Sequence, residues 1–100
     1  MVAVTRSVAD LAWFRRELER EREFRLEQLI HLSYEVSDPA RADVRTKLTV
    51  GARHALAEID AALFRISKGK FGTCELCGRP ISVQVLAACP ATRLCLSCER

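Results

Sequence analysis

Two short runs, Lys70-Phe-Gly-Thr-Cys74-Glu-Leu-Cys77-Gly78 and Arg93-Leu-Cys95-Leu-Ser-Cys98, decide how the rest of this 100-residue chain is read. Each contains a Cys-x-x-Cys pair, and 17 residues separate Cys77 from Cys95. Such a pair can close into a tight knuckle whose backbone amides point at the sulfurs, and Gly78 supplies permissive backbone just after the first. The intervening length suffices for a short hairpin and a return. Cys74, Cys77, Cys95 and Cys98 are therefore expected to surround one Zn²⁺ tetrahedrally, at about 2.3 Å per sulfur. Redox-active pairs, an iron centre and disulfides are the competing readings. A thioredoxin-like pair needs a βαβ setting, which is absent here. Four sulfur ligands leave no open coordination position, so the metal is expected to be structural rather than hydrolytic.

The metal matters because residues 69–100 hold few large apolar side chains, among them Phe71, Leu76, Ile81, Leu86 and Leu94. Structural zinc contributes on the order of 10 kcal/mol in small finger modules, enough to decide folding in so thin a core. The fifth cysteine, Cys89, precedes Pro90 and is expected to be a small, buried or half-buried apolar residue.

Upstream of this lobe the texture is helical. Gly69 after Lys68 is a helix stop. Before it, Val44, Leu48, Ala52, Ala55, Ile59, Ala62 and Ile66 recur on one stripe, so a second helix is expected over about 39–68. Pro39 ends the preceding helix and suits the first turn of the next, with Asp38 as its N-cap. A first helix is expected to begin at Ser7, where Ser7-Val-Ala-Asp10 has capping-box spacing, and the residues before it are expected to fray. Its seam runs through Leu11, Phe14, Leu18, Leu29, Leu32 and Val36, weakening across the charged run Glu19–Arg25. Two long helices joined by a few residues run antiparallel. The expected fold is mainly α: an antiparallel two-helix coiled-coil hairpin over 1–68, with its tip near 37–42, and a small four-cysteine zinc-finger lobe over 69–100. Gly51, Ala52, Ala55 and Ala62 are expected to let the helices approach closely, and Trp13 to lie in the core.

Composition agrees. Hydrophobic residues make up 49% and charged residues 29%, a folded chain rather than a disordered tail. A formal net charge of +3 is too mild for a dedicated nucleic-acid binder, and four thiolates around Zn²⁺ would lower it further. No apolar run is long enough to span a membrane, and the N-terminus does not read as a secretory signal, so a reducing, cytoplasmic setting is expected. The size excludes a large enzyme with a deep pocket and suits an adaptor or regulator.

The dense run Ala62-Leu-Phe-Arg-Ile66, Gly69-Lys-Phe-Gly-Thr-Cys74-Glu-Leu-Cys77-Gly78, then Ile81, Leu86, Ala88, Pro90, Ala91 and Leu94-Cys95-Leu-Ser-Cys98 resembles the DksA/TraR zinc-finger family. The resemblance implies a non-enzymatic bacterial transcription regulator whose hairpin enters the secondary channel of RNA polymerase while the zinc lobe contacts the rim. It implies tip acids at Asp38 and, after a register shift, Asp43, and rim contacts at Arg65, Lys68 and Lys70. The chain departs from the family at three places. Arg41 stands where the second tip aspartate is usual. Val85-Leu-Ala-Ala-Cys89-Pro90 lacks the usual arginines, so alarmone binding is not expected. The hairpin is shorter by about one heptad, or roughly 10 Å. A divergent accessory or non-polymerase interaction module is the alternative. Direct DNA binding, suggested by a spacing shared with GATA-type fingers, is not expected because only Glu99 and Arg100 follow the last cysteine. His31 and His54 lie at no metal spacing and are expected at the surface or seam.

Overall fold

The computed structural model describes residues 8–34 and 39–99, apart from the side chains of residues 8 and 9. Two long helices dominate: α1, Val8–Tyr34, and α2, Ala42–Ser67. At 1.5 Å per residue each is about 40 Å long. They run antiparallel, with Arg22 of α1 paired to Asp60 of α2 at 2.7 Å. Pro39 opens a single 3₁₀ turn, Pro39–Arg41, that leads into α2, so the α-helix proper starts three residues later than the sequence suggests. Arg41 at the N-cap gives no side-chain cap, and Asp43 in the first turn supplies the negative charge that favours a helix N-terminus. The expected caps at Ser7 and Asp38, and the seam residue Val36, lie outside the described residues.

The far end of α2 closes as its sequence predicts. Gly69 takes φ 72°, the left-handed conformation open to a residue without Cβ. Its N–H donates to the Ile66 carbonyl at 3.1 Å and the Lys70 N–H to the Arg65 carbonyl at 2.9 Å, the paired bonds of a Schellman motif. That reversal carries the chain off the helix axis and back against the hairpin base.

Past Gly69 the chain folds around the first cysteine pair. Thr73 and Pro80 form an antiparallel bridge, flanked by Cys74 N–H to Arg79 carbonyl and Ile81 N–H to Gly72 carbonyl, both 2.8 Å. A short helix, α3 (Val83–Ala88), follows, its N-terminus capped by Ser82, whose Oγ accepts from the Val85 N–H at 3.3 Å. A last turn, α4, spans Leu96–Glu99. The sequence reading anticipates the hairpin and return but not α3, which drops Leu86, fully buried, into the core. Among the described residues there is no β-strand beyond the isolated bridge, and no helix long and apolar enough to cross a membrane.

One apolar cluster joins arm and lobe. Phe14 and Leu18 of α1, and Ile59, Ala62 and Ile66 of α2, pack with Phe71, Cys74, Ile81 and Leu86 of the lobe. The Phe14 and Phe71 rings, 5.2 Å between centroids, are its hinge point. Phe14 is buried, as its place on the seam predicts, whereas Trp13, expected in the core, stands edge-on to Phe14 at 4.9 Å and remains 41% exposed. Farther along the arm Leu32 and Ala52 are buried. Val44 and Leu48, expected on the buried stripe, are 58% and 46% exposed. The Arg22–Asp60 register sets Leu48 level with the last described turn of α1 and Val44 beyond it. Gly51 also differs from expectation: a Cβ there would meet nothing within 4 Å, so the close approach is made at Ala52 and Ala62 instead.

Candidate metal centre

The two knuckles are closed by short backbone bonds. Gly78, at φ 76°, donates its N–H to the Cys74 carbonyl at 3.0 Å, and the Cys98 N–H reaches the Cys95 carbonyl at 3.1 Å. A backbone hydrogen bond, Glu75 N–H to Arg93 carbonyl at 2.9 Å, ties the knuckles face to face. The Sγ atoms of Cys74, Cys77, Cys95 and Cys98 consequently all lie within 4.8 Å of one another, and none is in a disulfide. Cys77 and Cys95 Sγ are 3.7 Å apart. Ligands about 2.3 Å from a tetrahedral ion sit about 3.8 Å from each other, so this spacing fits a four-sulfur metal site.

Electrostatics point the same way. Backbone N–H groups of Cys77, then Cys95, hold the Cys74 thiol down to about 6 despite its burial. Sharing its proton with the Cys95 sulfur first, and then with Cys74 and Cys77, pushes the Cys98 thiol up to about 12. A first thiolate is welcome in this nest of amides; a second close by is not, unless a cation neutralises it. The cluster can thus hold one metal ion with no vacant position, an arrangement that supports structure and offers no site for substrate.

A network of charged side chains fastens the centre to α2. Arg65, whose side chain is 11% exposed, donates to the carbonyls of Thr92 and Ala91 at 3.3 and 3.4 Å and pairs with Glu75 at 3.5 Å. Burial lowers its pKa, with Glu75 acting in the opposite direction. Arg93 bridges Glu58 of α2 at 3.2 Å and Glu75 of the first knuckle at 3.9 Å. Arg65 is therefore turned inward as a strut beneath the second knuckle, whereas Lys68 and Lys70, expected beside it on the rim, are exposed. Lys68 Nζ lies 5.3 Å above the Phe64 ring. The strut was hidden in the sequence because its partners are main-chain carbonyls 26 and 27 residues away. The Ser82 cap was within reach of sequence reasoning, since a serine immediately precedes the apolar run Val83–Ala88.

Of the proposed tip acids, Asp43 is exposed in the first turn of α2, and Asp38 lies outside the described residues. Cys89 is exposed rather than buried, on a shallow cleft of about 300 Å³ that it shares with His54, Glu58 and Arg93. The α3 helix ends on it, past the last turn that Leu86 anchors to the core. His31 and His54 are both exposed, as expected, and neither joins the sulfur cluster.

No known protein-family profile matches the chain. An uncharacterized protein of Aquifex aeolicus (strain VF5) is 51% identical over 43 residues, a stretch covering 43% of this chain and 30% of that protein. Among solved structures, transcription factor DksA2 from Pseudomonas aeruginosa superimposes with a TM-score of 0.75 over 97% of this chain and 85% of the other, at 24% identity. The chain thus has the DksA fold, with four cysteines placed to bind a metal ion.

Proposed function

We propose that this protein is a non-enzymatic transcription regulator that binds RNA polymerase, holding its hairpin tip in the secondary channel and its lobe against the rim. The observation that carries the reading is the fold itself: a solved transcription factor matches nearly the whole chain, arm and lobe together, rather than the metal knuckle alone. A small lobe fused to a long helical arm by one shared core suits a protein that reaches into a partner. In this reading Asp38 and Asp43 act at the tip, Lys68 and Lys70 touch the rim, and Arg65 keeps the lobe aligned to the arm. Such a partner places the protein in the cytoplasm.

The metal in this reading is one structural zinc held by Cys74, Cys77, Cys95 and Cys98, the ion whose closed tetrahedral sites favour thiolates. When bound it neutralises the thiolates and cross-links the knuckles. Elemental analysis of purified protein is expected to give one zinc per chain; iron, or no metal, overturns the assignment.

Native mass spectrometry with core polymerase tests the partner: a one-to-one complex at micromolar protein is expected, and none at that concentration counts against it. In-vitro transcription with wild type and Asp38→Asn then separates an acting tip from an accessory role. An effect abolished by the substitution supports the tip; identical transcripts support the divergent-module reading, which Arg41, in place of a second acid, makes the specific competitor.

A further inference from the structure

The side of α2 that carries the lobe continues toward the tip as an apolar strip. Arg65 and Glu58 hold the lobe, Arg65 through Thr92 and Glu75 and Glu58 through Arg93, and stand one heptad apart. Two more heptad steps reach Gly51 and Val44, along a line that drifts only about 20° per step around the helix. Leu48 and Ala55 lie beside that line at spacings of three and four. On α1, Phe24 borders a cleft of about 410 Å³ whose far wall is the end of α3, Ala87, Ala88 and Pro90. Gln28 stands one turn nearer the tip. Val44 is 58% exposed, Leu48 46% and Phe24 59%. None of the six positions Phe24, Gln28, Val44, Leu48, Gly51 and Ala55 bears a charge, in an arm otherwise rich in arginine and glutamate.

An uncharged strip offers nothing to a phosphate backbone and fits an apolar protein surface. Its relief matches a reversed copy of itself. Toward the tip it is raised by Val44 and Leu48; toward the lobe it is lowered at Gly51 and Ala55 and opens into the Phe24 cleft. A Cβ at Gly51 would meet nothing within 4 Å, so a neighbouring backbone has room to approach there. With a two-fold axis at Gly51, the two glycines meet and Leu48 of each copy comes over Ala55 of the other. Val44 comes level with Glu58, which the Arg22–Asp60 register sets level with Phe24 and the cleft. Large residues thus face small ones throughout, and each tip ends against the other copy's lobe. Ten residues on either side of the axis, across two helices, give a footprint of roughly 600 Å² per copy, at the low end of what a stable pair needs.

We propose that two copies of this chain pair through this strip, their arms antiparallel and face to face about a two-fold axis at Gly51, as a weak, concentration-dependent dimer. The pairing concerns the free protein and does not depend on the polymerase reading. Where both hold, a paired arm is covered and unavailable for insertion.

Sedimentation velocity of the metal-loaded chain over a concentration series tests the pairing. Wild type is expected to be half dimeric at about 50 μM, as the small footprint implies. Gly51→Leu adds a side chain where its own chain leaves space and favours helix, so it is expected to keep or raise the melting temperature yet weaken the dimer at least about tenfold. Leu48→Glu is expected to weaken it similarly. Ala57→Glu is the control: Ala57 is exposed and, nine residues from Leu48, points about 180° away around the helix, so the dimer is expected to survive. A thermal melt checks that each variant folds. Wild type that stays monomeric at about tenfold higher concentration overturns the proposal. A dimer that survives either strip substitution, or that the control also abolishes, places the contact on another face and overturns it too. A monomeric wild type whose association with core polymerase is weakened by Leu48→Glu and not by Ala57→Glu assigns the strip to polymerase instead, and leaves that reading standing.

Discussion

Arg65→Met separates an internal strut from a partner contact, because it removes the guanidinium and keeps a stem of similar length. Three interactions are lost: the carbonyls of Thr92 and Ala91 at 3.3 and 3.4 Å, and Glu75 at 3.5 Å. Hydrogen bonds from a charged donor are worth about 1.5–3 kcal/mol at good geometry, and these distances put each carbonyl bond at roughly 1 kcal/mol. Glu75 is 44% exposed, so its pairing adds well under about 1 kcal/mol. Against this, the substitution relieves the burial of a charge that already lowers the Arg65 pKa. The net expectation is a loss of about 2 kcal/mol, or about 8–16 °C in Tm for a chain of this size. Arg65→Lys keeps the charge but cannot fork to two carbonyls, and is expected to lose about half as much. Urea unfolding of the metal-loaded protein, followed by circular dichroism, measures both. Variants that melt within experimental error of wild type, yet bind polymerase less well, would refute the strut and return Arg65 to the rim.

Four further outcomes are expected from the geometry. Metal affinity is expected to fall as pH falls, about tenfold per unit for each proton displaced, because Cys98 is a thiol at neutral pH in the metal-free site. Below about 6 the slope should steepen by one proton, as Cys74, ionised above that value, must also be deprotonated; calorimetry in buffers of different ionisation enthalpy counts the protons. In the metal-free protein, the stabilisation due to ionised Cys74 is complete above the ordinary thiol value of 9.0 and is lost as pH falls through about 6, so acid should lower its melt. Gly69→Ala is expected to cost about 1–2 kcal/mol from backbone strain alone, since the added Cβ meets nothing within 4 Å; an unchanged melting curve counts against the Schellman cap. Phe14→Ala is expected to cost about 3–5 kcal/mol, and half-exposed Trp13→Ala about 1 kcal/mol. The reverse ranking in denaturant titrations would show that the wrong aromatic has been placed in the shared core.

Local rules account for most of the architecture. Gly69, Pro39 and the stripe from Ala52 to Ile66 describe helices whose ends and inner faces depend on neighbours three or four residues away, and the helices form there. The cysteine quartet was equally plain, because knuckle closure needs only Gly78 and two-residue spacers. What spacing cannot convey is which side chain fills a junction between distant segments. Periodicity places Phe14 on the seam, but the exposure of its neighbour Trp13 is decided by the return of the lobe, which sets Phe71 against the Phe14 ring and leaves Trp13 at the edge. Arg65 looks like any helix-surface cation until the second knuckle folds over it and presents two carbonyls. Periodicity assigns a face, but burial depends on what arrives opposite it: Val44 and Leu48 share a stripe with Ile59 and remain exposed, while Leu86, in a helix of six residues, is fully enclosed.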